Sequence, residues 1–189
     1  EGTLHAAPEL EPGDPDAPIL PDFDIRIDRF VIDDLTVARG LLGEERLVDF
    51  RAQADVRDGR VLLDADGDLG GGDTFTALVD AMPDGDRFDL DLDYRAPAGG
   101  LLASLTGSEV DSRARMVGHG SWEAWDGAFV VSQDGASVLA LKLTNRGGLY
   151  RIVGQARPGG YLTGLPAQAL GEVVSLAAVG TLEDSVLDG

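Results

Sequence analysis

The chain has 189 residues, with 34 acidic against 15 basic side chains, a formal charge of -19, 26 Gly, 9 Pro and no Cys. A hydrophobic content of 43% is too high for a disordered acidic tail and long enough a chain carries it to build a core. So few cations cannot supply the counterion-releasing patch that nucleic acid needs, and the same field repels anionic lipid headgroups, so no nucleic-acid partner is expected.

Residues 1–21 are rich in Pro and acid (Pro8, Pro12, Pro15, Pro18, Pro21) and read as an extended linker ahead of a β domain over 22–189. From Asp22 the dominant signal is alternation with period two, which sends successive side chains to opposite faces of a strand. Phe23, Ile25 and Ile27 alternate with Asp24, Arg26 and Asp28. The apolar phase slips at Phe30 and Ile32, which predicts a bulge or bend near Arg29. Phe50, Ala52, Ala54 and Val56 form the next apolar set, and Val61, Leu63, Ala65 and Leu69 the one after, with Asp58-Gly59 between them as a hairpin turn.

Strands over 74–82 and 87–94 repeat the pattern around Pro83-Asp84-Gly85-Asp86. The first contributes Phe75 and Val79; the second sets Phe88, Leu90, Leu92 and Tyr94 against Asp89, Asp91 and Asp93. The spacing of Leu101, Leu102 and Leu105 predicts a short helix ended by Gly107. Strands are then expected over 116–124, 128–132, 137–144 and 149–156, with turns at Asp126-Gly127, Asp134-Gly135 and Gly147-Gly148. A leucine-bearing stretch over 161–170 and a last strand over 172–182 follow. Asp58-Gly59 recurs as Asp126-Gly127, and Gly99-Gly100 as Gly159-Gly160, which suggests two degenerate repeats over about 46–110 and 111–182.

Chemistry-bearing motifs are sparse. Without Cys there are no disulfides, thiolate zinc sites or cysteine nucleophiles, and His5 and His119 are too few for a His-rich metal centre, so neither metal nor cofactor is expected. The run from Asp64 to Asp73 alternates acids like a calcium loop, yet Leu69 and Phe75 stand where such a loop needs Gly and a bidentate Glu. Asp89, Asp91 and Asp93 read as the wet face of one strand. Ser104, Ser108, Ser112, Ser121 and His119 show no nucleophile elbow, and a surplus of carboxylates makes any chosen acid pair uninformative. Trp122 and Trp125 flank a turn and are expected to pack there. An enzyme is not expected.

What remains is the sum of the apolar faces: Phe23, Ile25, Ile27, Phe50, Val56, Val61, Leu63, Phe75, Val79, Phe88, Leu90, Leu92 and Tyr94. An antiparallel sheet with one wet face buries the other against something. Either it folds onto itself as a β-sandwich or closed barrel, or it curls into an open trough whose lining meets a ligand. A structural or adhesive extracellular module with calcium-binding acidic turns is the alternative on the functional side.

The phrase over 20–37, Leu-Pro-Asp-Phe-Asp-Ile-Arg-Ile-Asp-Arg-Phe-Val-Ile-Asp-Asp-Leu-Thr-Val, followed by amphipathic strands punctuated by Asp-Gly and by Gly-Gly-Leu-Leu, resembles the periplasmic part of the TamB proteins (translocation and assembly module subunit), within the AsmA-like group. The resemblance runs from about Leu20 to Leu182. It implies an all-β, antiparallel, taco-like open groove with one or two short helices, located in the periplasm of a parent protein anchored in the inner membrane. It further implies that the groove carries phospholipid acyl chains between inner and outer membranes, with an outer-membrane β-barrel as assembly partner. The chain lacks an initiator Met and is read as an internal fragment, with membrane contact made by parts of the parent outside it.

Overall fold

The computed structural model describes residues 3–4, 24–38, 45–101, 110–157, 172–181 and 185–188. Twelve strands form one sheet in strict chain order. They are β1 (Thr3–Leu4), β2 (Ile25–Val37), β3 (Arg46–Arg57), β4 (Arg60–Asp68), β5 (Thr74–Met82), β6 (Arg87–Ala96), β7 (Ser112–Gly120), β8 (Ala124–Gln133), β9 (Ala136–Arg146), β10 (Leu149–Ala156), β11 (Val174–Gly180) and β12 (Ser185–Asp188). β1 runs parallel to β2, and every other neighbouring pair is antiparallel. Among the described residues β1 and β12 do not pair with each other, so the sheet is open. The sandwich and closed barrel are thereby excluded in favour of the open form.

Turn chemistry sets the meander. Asp58-Gly59, Asp134-Gly135 and Gly147-Gly148 each place two successive residues at positive φ (50 and 70, 45 and 80, 58 and 83 degrees). That is the backbone of a two-residue hairpin whose twist matches the strands it joins. All three were predicted as turns. Asp126-Gly127 was predicted as a fourth and is not one: both residues lie inside β8, paired with His119 and Gly118 of β7. The β7–β8 turn falls at 121–123 instead, where Ser121 N–H donates to the Ala124 carbonyl at 3.0 Å and Ala124 N–H to Ser121 Oγ at 2.9 Å. Gly127 serves packing here, making room for Trp125, so its match to the Asp58-Gly59 turn is one of dipeptide and not of structural role.

The slip predicted near Arg29 is present as a register shift between Ile27 and Phe30 in the pairing of β2 with β3. A second shift lies between Ile32 and Leu35, where Asp34 sits at φ 56 and its N–H donates to Asp49 Oδ1 at 2.9 Å. Each bulge inserts the residue needed to return Phe30, Ile32 and Leu35 to the face of Ile25 and Ile27. Of the short helix predicted after Gly99, only Leu101 is described; the rest, like the stretch over 161–170 and most of the predicted linker, lies outside the described residues.

Candidate functional site

Partners directly opposite in an antiparallel ladder point to the same face, so the register assigns every side chain. Three successive rows cross the ten strands from β2 to β11. One runs Ile27, Ala54, Leu63, Val79, Leu90, Gly118, Gly127, Leu143, Ile152, Ala178. The next runs Phe30, Ala52, Ala65, Ala77, Leu92, Met116, Phe129, Leu141, Gly154, Leu176. The third runs Ile32, Phe50, Gly67, Phe75, Tyr94, Ala114, Val131, Leu139, Ala156, Val174. No row contains a charge. The Tyr94 hydroxyl is the sole hydrogen-bonding side-chain group among them, and it is engaged at one end of the sheet.

This face is not sealed. Among the described residues the buried apolar side chains are few and mostly small (Val37, Val48, Ala65, Ala81, Ala96, Leu101, Trp125, Val138), while Phe50, Leu63, Leu90 and Leu92 are only half-buried and Ile27 and Phe30 are exposed at 39% and 46%. Aromatic rings bridge strands across it: Phe30 to Phe50 at 5.9 Å, Phe50 to Phe75 at 6.1 Å, and Phe88 to Trp122 at 4.6 Å and Trp125 at 5.9 Å. One hollow opens on the face: about 330 Å³, lined by Phe88, Met116, Trp122, Trp125, Leu143, Tyr150 and Ile152, with Asn145 at its edge. Another, about 470 Å³, is lined by two wet-face rows, Arg26, Asp55, Leu62, Asp80 and Asp89 and then Asp28, Gln53, Asp64, Leu78 and Asp91, with the row from Ile27 to Gly118 between them.

One end of the face is closed by a buried carboxylate. Asp73, fully buried, accepts from Tyr94 Oη and from Leu101 N–H at 2.5 Å each, with Arg46 Nη1 at 3.9 Å. Arg46, itself buried, also donates to the Gly70 carbonyl at 2.9 Å. Burial, and then the bond to Asp73, push the Tyr94 hydroxyl well above its ordinary pKa. A Cβ at Gly100 would collide with Asp73 Oδ2, so glycine is required where the β6–β7 segment passes over the carboxylate. The knot ties the 69–73 turn, the start of β3 and the end of β6 together.

The opposite face is wet and charged over β2 to β7, with a polar hollow of about 880 Å³ lined by Asp and Arg side chains. A twisted sheet is saddle-shaped, which gives both faces a concave diagonal. Several of the acids here are paired. Asp80 takes Arg60 and Arg87 at 2.7 Å each, Arg87 also meets Asp89 at 2.8 Å, Asp91 meets Arg115 at 3.0 Å, and Asp93 is bonded by Arg113 with Arg95 at 3.5 Å. The bond from Arg113 holds the Asp93 carboxyl below its ordinary pKa, and that from Arg60 does the same for Asp80.

Of the predicted lining, Ile25, Ile27, Phe50, Val56, Val61, Leu63, Phe75, Val79, Phe88, Leu90, Leu92 and Tyr94 all share the apolar face; Phe23 lies outside the described residues. Sequence reasoning omitted Phe30 and Ile32, which the bulge returns to this face, and the whole continuation through Met116, Phe129, Leu141, Leu143 and Ile152, although the same alternation marks it. Asp64, Asp66 and Asp68 face the wet side while Asp73 is buried with the apolar face, so the calcium-like run does not converge; among the described residues no acid or His cluster is placed to hold a metal. His119 is exposed on the wet face. A comparison with protein-family models, curated proteins and solved structures finds no match to this chain.

Proposed function

We propose that this chain is a non-enzymatic carrier segment whose apolar face holds the acyl chains of phospholipids. The observation that supports it is the continuity of the three rows: ten strands wide, without a charge, and half-open to solvent. An acyl chain has no group to hydrogen-bond, and each CH₂ it removes from water is worth about 0.8 kcal/mol. Such a lining therefore retains chains without any residue acting as acid, base or nucleophile. The charged outer face keeps the sheet from stacking on another sheet or on an anionic bilayer.

With the resemblance of residues 20–182 to the TamB proteins, the reading proposed extends to a periplasmic segment of a parent protein that would carry phospholipid between the two membranes with an outer-membrane β-barrel partner. An adhesive module held by calcium would have to use its turn acids, because the strand carboxylates Asp80, Asp91 and Asp93 are met by arginines. Organic extraction of the purified protein followed by mass spectrometry tests the proposal. Co-purifying phospholipid is expected, and a lipid-free protein that also takes up none from vesicles overturns it.

A further inference from the structure

Two neighbouring turns at one end of the sheet differ from the other described tips. The β3–β4 tip is Asp58-Gly59, the β5–β6 tip Pro83-Asp84-Gly85-Asp86 and the β8–β9 tip Asp134-Gly135, all acidic. The β7–β8 tip instead carries Trp122, and the β9–β10 tip, Gly147-Gly148, runs into Leu149, Tyr150 and Ile152; these four side chains are 43%, 47%, 41% and 38% exposed. The buried Asn145 side chain ties the two tips into one rim. Its Nδ2 donates to the Trp122 carbonyl at 2.5 Å and its Oδ1 accepts from Gly148 N–H at 3.0 Å, while Gly147 N–H donates to the Glu123 carbonyl at 2.7 Å. The Trp122 ring is stacked on Phe88 at 4.6 Å, which fixes it where it stands. Trp122, Tyr150 and Ile152 also wall the 330 Å³ hollow, so the rim adjoins the apolar face directly.

Charge follows the same division. Residues 135–171 contain no acid and four cations, Lys142, Arg146, Arg151 and Arg157, so all 34 acids lie elsewhere. At the rim Asp126 is paired with Arg146 at 2.6 Å, Asp86 accepts from the Trp122 and Glu123 N–H groups at 2.8 and 3.4 Å, and Glu123 is matched in number by Arg151. The rim is therefore close to neutral in a chain of charge -19. Exposed Trp and Tyr beside aliphatic side chains settle at the headgroup level of a bilayer, where the ring body meets the acyl boundary and its polar edge stays wet. Resting on the acyl-chain reading above, we infer that this rim docks on the surface of a phospholipid bilayer and is where acyl chains enter the apolar face. A chain that leaves the bilayer through water loses about 0.8 kcal/mol per exposed CH₂, so a carrier gains by meeting its source with an apolar edge continuous with its lining. Among the described turns this rim meets that demand, and the acidic tips do not. The net charge that argues against membrane contact belongs to the rest of the chain.

The test is flotation of the full chain with phosphatidylcholine vesicles, whose zwitterionic surface does not repel the charge of -19. Wild type is expected to bind. Leu149→Ser is expected to weaken binding about three- to tenfold and Trp122→Ser at least about tenfold, because each forfeits the exposed part of a side chain that docking buries. Leu78→Ser, at a position 51% exposed on the charged face, is expected to change nothing. Leu149 lies outside the lining of the hollow, so Leu149→Ser keeps the wild-type affinity for monomeric lysophosphatidylcholine, measured below its micelle concentration. Equal vesicle binding by wild type, Leu149→Ser and Trp122→Ser overturns the docking rim. No vesicle binding by wild type also overturns it, and binding of monomeric lysophosphatidylcholine then leaves acyl holding in place; binding of neither overturns both. A dimer that Trp122→Ser dissociates, without vesicle binding, gives the patch to a second copy of the chain and overturns the inference as well.

Discussion

Placing a carboxylate in the middle of the apolar face separates stability from cargo binding. Leu90 is half-buried on the apolar face, between Val79 and Gly118 in its row. Full burial of a leucine is worth about 1.5–3 kcal/mol, so at half burial Leu90→Asp forfeits about 0.75–1.5 kcal/mol of folding free energy, because the introduced carboxylate stays hydrated on the half-open face. A bound acyl chain removes that water, at several kcal/mol. At about 1.4 kcal/mol per tenfold change, lipid retention falls by at least about 100-fold. The matching control is Val130→Asp, on the wet face opposite Arg115, where stability changes by no more than about 0.5 kcal/mol and retention is unaffected. Urea denaturation reads the first quantity and mass spectrometry of extracted lipid the second. The pH dependence carries a sign. A carboxyl covered by an alkyl chain has its pKa raised above about 3.9, so retention by Leu90→Asp recovers as pH falls through the raised value. Equal retention in Leu90→Asp and Val130→Asp would refute the reasoning.

Other consequences follow from the same geometry. Asp73→Ala leaves the Tyr94 hydroxyl and Leu101 N–H without their acceptor beside the buried Arg46, at a cost of about 3–5 kcal/mol in urea denaturation, while Tyr94→Phe costs about 1–3. Gly118→Ala drives a methyl group into the Trp125 ring and lowers stability by about 1–3 kcal/mol or more, visible as a fall in melting temperature. Asp80 and Asp93 have folded pKa values held below the ordinary carboxylate value, so the stability they confer is complete above about pH 4 and is lost as pH falls through their lowered values. Thermal denaturation across pH 2–5 is expected to show this loss reduced in Asp93→Asn, whose ion pairs contribute only about 0.2–1 kcal/mol each.

The fold was legible in the sequence where the signal was local. Alternation fixes faces, Asp58-Gly59 and Asp134-Gly135 fix turns, and the phase slip at Phe30 locates a bulge, because each follows from backbone geometry within a few residues. Asp126-Gly127 misled for the same reason: the dipeptide has turn chemistry, but its glycine is used by Trp125, a tertiary demand invisible to a local reading. The apolar lining was legible as a pattern and not as a site. Choosing the open sheet over a sandwich depends on the order of strands, and the seat of the Trp125 indole depends on glycines of two neighbouring strands, Gly118 and Gly127. Asp73 was read within the calcium-like run, yet among the described residues it is the one buried carboxylate, and only its contact with Tyr94 and Leu101, far along the chain, reveals it.

The central claim, that the apolar face carries acyl chains, is tested most directly by site-specific photo-crosslinking at two adjacent positions of β6. A photoreactive residue at Leu90 faces the apolar side, and one at Asp91 faces the charged side. After exposure to phospholipid vesicles and irradiation, lipid adducts are expected at position 90 and not at position 91. Adducts at both positions alike, or at neither, would contradict the account.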